Sequence, residues 1–203
     1  MKVKRQTSVI AGVDLSVRRR SALSVLDLKE RVLILKEVNF KDLLKELRFV
    51  DVVSVDSPLS YKPPFRDFEK KMISRGFRLL PLSLRGMMSL ANLGRSLMMD
   101  LSFQGVAVLE THPSSAIKVA GPPDPPEGFE CLIKLGKDLR DSLICLLTSY
   151  AFIRRKLIAF RGNDGILVLP GSETLWDDLF NEVSYIRQDD PRGACNKANK
   201  ERN

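Results

Sequence analysis

The chain has 203 residues, 44% of them hydrophobic and 29% charged, with a net charge of +8. That length suits one domain around one sizeable core, and the composition excludes a disordered or membrane-embedded chain. His112 is the only histidine, so a metal site of two or more imidazoles is excluded and any bound metal must be held by oxygen.

No apolar run approaches the ~18 residues that cross a bilayer. The first apolar stretch is short and ends in Asp14 without a small-residue cleavage site, so a signal peptide is not expected in it. Cys131, Cys145 and Cys195 are too widely spaced for a disulfide framework or a C-x-x-C motif. The expectation is a cytoplasmic protein without a membrane partner. Positive charge is uneven: Arg18, Arg19 and Arg20 form a block, and residues 66 to 95 carry seven Arg or Lys against two acids. Such an excess suits a polyanion such as nucleic acid, or a merely solvated surface.

In chain order, residues 7 to 13, 21 to 28 and 31 to 38 read as three strands joined by short polar turns, an antiparallel meander. Phe40, Leu43, Leu44 and Leu47 recur at helical spacing and predict a short amphipathic helix. Residues 50 to 55 form the next strand, stopped by Pro58 soon after Asp56. A helical crossover would set this strand parallel to the first and bring Asp14 and Asp56 to one sheet edge. Helices are predicted over about 65 to 75 and 84 to 103, with Met87, Met88, Met98 and Met99 of the latter read as core filler. The apolar run 105 to 109 predicts another parallel strand, ended by Glu110.

The segment 121 to 128 holds four prolines and predicts a rigid loop. A helix follows over about 137 to 153, with Asp138 and Asp141 three apart at its start. Residues 157 to 160 and 166 to 169 flank a Gly162-Asn163-Asp164-Gly165 turn and predict a C-terminal hairpin. One more helix is predicted around Trp176 and Phe180. A single domain over 1–185 and a polar, disordered tail over 186–203 complete the expected organisation.

Strand-terminal residues of parallel sheets converge on the crevice where α/β folds bind ligands. Asp14, Asp56 and Glu110 are expected there. One such acid often does no more than bond its own turn. Three together repel unless protonated or bridged by a cation, so they point to a bound divalent ion. Without a histidine cluster, Mg²⁺ or Mn²⁺ is the natural occupant.

The phrases GVDLS (12 to 16), VVSVDSPLS (52 to 60), RDFEKKMISRGFRLLP (66 to 81), LETHPSSA (109 to 116) and DLRDSLICLLTS (138 to 149) resemble, in order and spacing, a domain family of unknown function numbered 429. That family is described as predicted RNase H-like nucleases. The resemblance covers roughly residues 8 to 171. It implies an α/β, RNase H-like fold: a mixed five-stranded sheet, made of a three-strand antiparallel meander plus parallel strands, flanked by helices. The family's acidic positions fall on Asp14, Asp56, Glu110 and Asp141, with Asp138 a further metal-ligand candidate. It also implies hydrolysis of DNA or RNA phosphodiesters by two metal ions, with Asp14 as bridging ligand, Asp56 and Glu110 on either side, and Asp141 closing from the helix. Arg66 and Asp67 match the family's pattern and are expected either at the site's rim or as a plain surface ion pair. The proline-rich segment between Glu110 and Asp138 departs from the family in lacking a basic motif.

Lys118 is read either as a phosphate contact or as a solvated lysine, and His112 either as a proton-transfer group or as a structural hydrogen-bonder. Two alternatives stand beside the nuclease: a non-catalytic nucleic-acid-binding module on the same fold, and an ATP-binding domain of the actin and sugar-kinase kind. The last lacks support, since the chain's dense glycine cluster sits in a hairpin turn and a Walker motif is absent.

Overall fold

The computed structural model describes residues 8–189 and 197–198. Strands β1 (Val9–Asp14), β2 (Ser21–Asp27) and β3 (Val32–Val38) form the antiparallel meander. Helix α1 (Phe40–Leu47) follows, capped by Asn39, whose side chain accepts from the Asp42 N–H, and buries Leu43 and Leu47. It leads into β4 (Val52–Asp56), which lies parallel to β1. Helices α2 (Asp67–Ser74) and α3 (Arg85–Phe103) come next, then β5 (Ala107–Thr111), parallel to β4.

Helix α4 (Pro113–Ala120), a 3-10 turn (Glu130–Lys134) and the long α5 (Lys137–Ile153) complete the central region. Strands β6 (Leu157–Gly162) and β7 (Gly165–Pro170) pair as a separate hairpin, and α6 (Leu175–Asn181) precedes β8 (Tyr185–Gln188). The protein is thus α/β: a mixed sheet in the order β5-β4-β1-β2-β3-β8, flanked by helices, with a two-stranded hairpin beside it. A two-residue β9 (Lys197–Ala198) pairs antiparallel with β8.

Three expectations are corrected. The main sheet exceeds five strands, because β8 lies parallel to β3, so residues 186 to 188 of the expected tail are sheet. Ile186 is fully buried between exposed neighbours, which is enough to seal the open edge of β3. Residues 190–196 and 199–203 of that tail lie outside the described residues. The methionines of α3 are not core: Met88 and Met99 are exposed and Met87 and Met98 half-buried, while Ala91, Gly94, Leu97 and Leu101 form the buried stripe. Cys131 takes part in a disulfide rather than standing as an isolated thiol, because spacing along the chain does not bound distance in the fold. Cys145 is a buried free thiol, and Cys195 lies outside the described residues.

Each face of the sheet carries its own apolar cluster. Ala11, Val13, Val53 and Val55 face α1 and α3, whereas Ile10 and Val52 face α5. On the α5 side the contact is made by small residues. A Cβ added to Gly12 would lie 2.0 Å from the Leu146 backbone nitrogen and 2.2 Å from the Ser142 carbonyl oxygen. Only glycine allows the helix backbone this close. The approach is then fixed by buried hydrogen bonds: Ser24 to Ser142 at 2.7 Å, Ser54 to Ser149 at 2.8 Å, and Ser149 Oγ donating to the Ala11 carbonyl at 2.7 Å. These bonds set both the height and the rotation of α5 over β1 and β4. Gly12→Ala is therefore expected to destabilise the protein by about 3 kcal/mol, the upper range for overpacking, read as a lower urea midpoint with an unchanged slope.

Candidate carboxylate site

Asp14 and Asp56 are register partners at the carboxyl ends of the adjacent parallel strands β1 and β4. Neighbouring strands lie about 4.8 Å apart, so two half-buried carboxylates share one face of the sheet edge. The first two turns of α5 stand over them. There a helix N-terminus favours negative charge, and Asp138 and Asp141 sit three residues apart on it.

The electrostatics show which acids face one another. Burial pushes the Asp14 carboxyl up to about 7, helped by the negative charges of Asp138 and Asp141. Burial also raises Asp56 well above the ordinary carboxylate range, reinforced by Asp14, then Asp141, then Glu110. Asp141 is raised by burial too, with Lys137 and Arg140 opposing and Asp138 reinforcing. Among the described residues, no hydrogen-bond donor meets the side chains of Asp14, Asp56 or Asp141. Asp138 is tied to Arg19 at 3.1 Å. The chain thus assembles Asp14, Asp56, Asp141 and Asp138 and leaves three of them without a bonded partner.

Glu110 lines one cavity with Asp56 and its charge is felt there, but its own oxygens are bonded elsewhere. Thr111, not Glu110, is the register partner of Asp56, while Glu110 pairs with Val55 and so shares the opposite face of the sheet. Both of its oxygens are occupied. Arg66 Nη2 donates to Oε1 at 2.5 Å, and Arg66 Nη1 and the Leu59 N–H each donate to Oε2 at 2.8 Å. Arg66 also donates to Glu69 at 2.7 Å, and Glu69 accepts the Arg66 backbone N–H at 2.7 Å. Arg66 is therefore no rim residue: its side chain is 1% exposed and lies over the Phe68 ring. Asp67 is the surface member of the pair, bound to Lys62 at 3.2 Å.

Lys118 donates to the Gly76 carbonyl at 2.8 Å and covers the Phe77 ring, away from the carboxylates. His112 precedes α4, its Nδ1 bonded to Ser115 Oγ at 2.7 Å, with burial lowering its pKa, which suits a neutral structural hydrogen-bonder.

The basic block around Arg19 lies beside the acids and is joined there by Lys137 and Arg140, a placement the sequence does not give. Arg19 and Lys137 both lower the Asp14 carboxyl, Lys137 lowers Asp56, and Lys137 and Arg140 lower Asp141. All three cations are exposed. Their signal lay in the Arg18–Arg20 block and in the K-D-L-R-D start of α5, whose folding against β1 was not visible in the spacing. A cavity of about 160 Å³ adjoins the site, with Asp56, Glu110, Thr111, His112, Met87 and Leu90 among its lining residues.

Compared with protein-family models, with curated proteins and with solved structures, the chain matches none. The assignment therefore rests on the residues themselves. Oxygen-only donors suit a hard divalent cation, and Asp14 and Asp56 at the sheet edge, with Asp141 on α5, are carboxylates of that kind. Against this, no three His, Cys, Asp or Glu side chains among the described residues stand close enough to hold a cation as they are.

Arg66→Met leaves Glu69 and Glu110 buried without a counter-charge and should cost about 3–5 kcal/mol, measured by urea unfolding. For pH, the raised Asp14 means that between about 4 and 7 the folded state binds a proton the unfolded state has released, so metal-free stability falls as pH rises through that window. Asp14→Asn should flatten this slope and raise the metal-free Tm at pH 8 by at least about 2–4 °C, the shift of one kcal/mol at this chain size, in calorimetry with EDTA. An unchanged slope would show that Asp14 is not the group responsible.

Proposed function

We propose that the protein is a divalent-metal-dependent nuclease of RNase H-like fold, hydrolysing phosphodiesters of DNA or RNA at the Asp14–Asp56–Asp141 edge. The observation that carries this reading is the paired placement of Asp14 and Asp56 on adjacent parallel strands with α5 bringing Asp141 over them. The resemblance of the G-V-D, V-D-S-P-L and E-T-H-P phrases to predicted nucleases points the same way, and so does the order of meander, crossover helix and parallel strands.

In this reading Asp14, Asp56 and Asp141 hold Mg²⁺ or Mn²⁺, with Asp138 as a further ligand once Arg19 lets go. The bound ion supplies water activation and charge neutralisation at the phosphate. Arg19, Lys137 and Arg140 receive the phosphate backbone as exposed cations beside the acids. Glu110 plays a different part. With Arg66 and Glu69 it anchors α2 to β5 and fixes the loop after β4 through the Leu59 N–H.

Purified protein with Mn²⁺ or Mg²⁺ is expected to cleave DNA or RNA, with EDTA abolishing the activity. Asp14→Asn and Asp56→Asn should each lower kcat/KM by more than about 100-fold, beyond the loss typical of outer-shell changes at metal sites, with the far-ultraviolet circular dichroism unchanged. Glu110→Gln should instead lower the Tm and leave turnover per folded molecule within a few-fold. Full activity in Asp14→Asn would overturn the reading.

One observation favours a second reading, a nucleic-acid-binding module without catalysis: no three carboxylates yet converge as a ligand set among the described residues. That reading expects salt-sensitive binding through the basic rim and no cleavage with either metal.

A further inference from the structure

Helix α3 buries Ala91, Gly94, Leu97 and Leu101 against the rest of the fold, yet its opposite face is not polar. Leu84, the N-cap residue, is 47% exposed, and Met88, Met99 and Phe103 are 42%, 55% and 89% exposed. With Asn92 and Arg95, which are also exposed, they recur at intervals of four, four, three, four and four residues. At 3.6 residues per turn this spacing makes one stripe about 28 Å long, on the side away from the buried residues. A surface helix ordinarily turns polar and charged groups to water, so a row of apolar side chains along the solvent face marks a contact with another macromolecule.

The order of residues along the stripe selects the partner. Leu84 and Phe103, Met88 and Met99, and Asn92 and Arg95 are each equidistant from a point between Leu93 and Gly94. A second copy of the helix running antiparallel therefore sets every apolar side chain of the stripe against an apolar one. The same register sets the Asn92 amide oxygen against the Arg95 guanidinium, and neither side chain has a partner of its own among the described residues. One two-fold axis through that point generates all these pairs, so the surface is self-complementary in the way a closed dimer requires. A parallel pair would instead stack the two Arg95 side chains at one height and align the two helix dipoles.

We propose that α3 is a homodimer interface, through which two copies of the chain pair antiparallel along Leu84, Met88, Asn92, Arg95, Met99 and Phe103. Met87 and Leu90, which line the cavity beside Asp56, lie off this stripe, so pairing leaves the carboxylate edge open. One helix pair buries less than the about 1,200 Å² at which stable complexes begin. Association is therefore reversible, with a Kd in the micromolar range.

The test is sedimentation equilibrium of the full chain from about 1 µM to about 1 mM, which spans dissociation constants of that class. A monomer–dimer equilibrium is expected. Met88→Glu and Met99→Glu should each raise the Kd by at least about tenfold, the loss of a buried interface contact. Both positions face solvent in the single chain, so the variants should keep the wild-type circular dichroism. Met88→Glu combined with Met99→Lys sets opposite charges across the axis twice over, and should bind about tenfold more tightly than Met88→Glu alone, an effect weakened by salt. That recovery is specific to the antiparallel register, because a parallel pair would set like charges together at both positions. A monomer at every concentration, a dimer that neither single variant weakens, or a double variant no tighter than Met88→Glu overturns the proposal.

Discussion

The contact of α5 with β1 across Gly12 is the constraint on which the carboxylate edge depends. A helix usually rests on a sheet through interlocked side chains that hold the two backbones apart. Here the glycine removes the side chain at the crossing, and serines on β2, β4 and α5 replace apolar packing with short buried hydrogen bonds. Hydrogen bonds specify position where apolar contact only specifies proximity. The start of α5 is therefore held at a fixed height over Asp14 and Asp56, with Asp138 on its first turn and Asp141 on its second.

Two groups of acids meet burial in opposite ways. Glu69 and Glu110 are enclosed with Arg66, which divides its donors between them, and the group ties α2, β5 and the loop after β4 together. Among the described residues Asp14, Asp56 and Asp141 have no enclosed cation; the positive charges acting on them are exposed at the rim. Such an arrangement costs stability in the absence of a ligand, and folds carry that cost where function needs it. The same contrast separates structure from chemistry among residues of one type, which composition alone does not do.

Much of the fold was legible because its signals are local. Apolar runs joined by short polar turns marked β1 to β3, helical spacing marked α1 and α5, and the Gly162–Gly165 turn marked the hairpin. What escaped depends on partners distant in sequence. Helix α4 begins at Pro113 after an E-T-H-P stretch that reads as a turn, although proline suits a first helical position. Strand β8 carries one buried residue, Ile186, and only the uncovered edge of β3 makes it a strand. The site was legible to the same degree. Asp14, Asp56 and Asp141 were expected as acids at element ends and do face one another, while the pairing of Glu110 with Val55 rather than Asp56 was not legible because spacing does not give register. A shift of one residue sends a strand side chain to the other face, and there Arg66 was waiting. Arg66 itself was read as a surface group, since nothing local distinguishes an arginine that will be buried between two glutamates.

The most direct test of the central claim is a crystal structure of the protein grown with Mn²⁺, with anomalous scattering used to locate the metal. Anomalous peaks are expected in the space bounded by Asp14, Asp56 and Asp141, with Glu110 still bonded to Arg66. Anomalous peaks absent from that edge at saturating Mn²⁺, or a metal at Glu110 with Arg66 displaced, would contradict it.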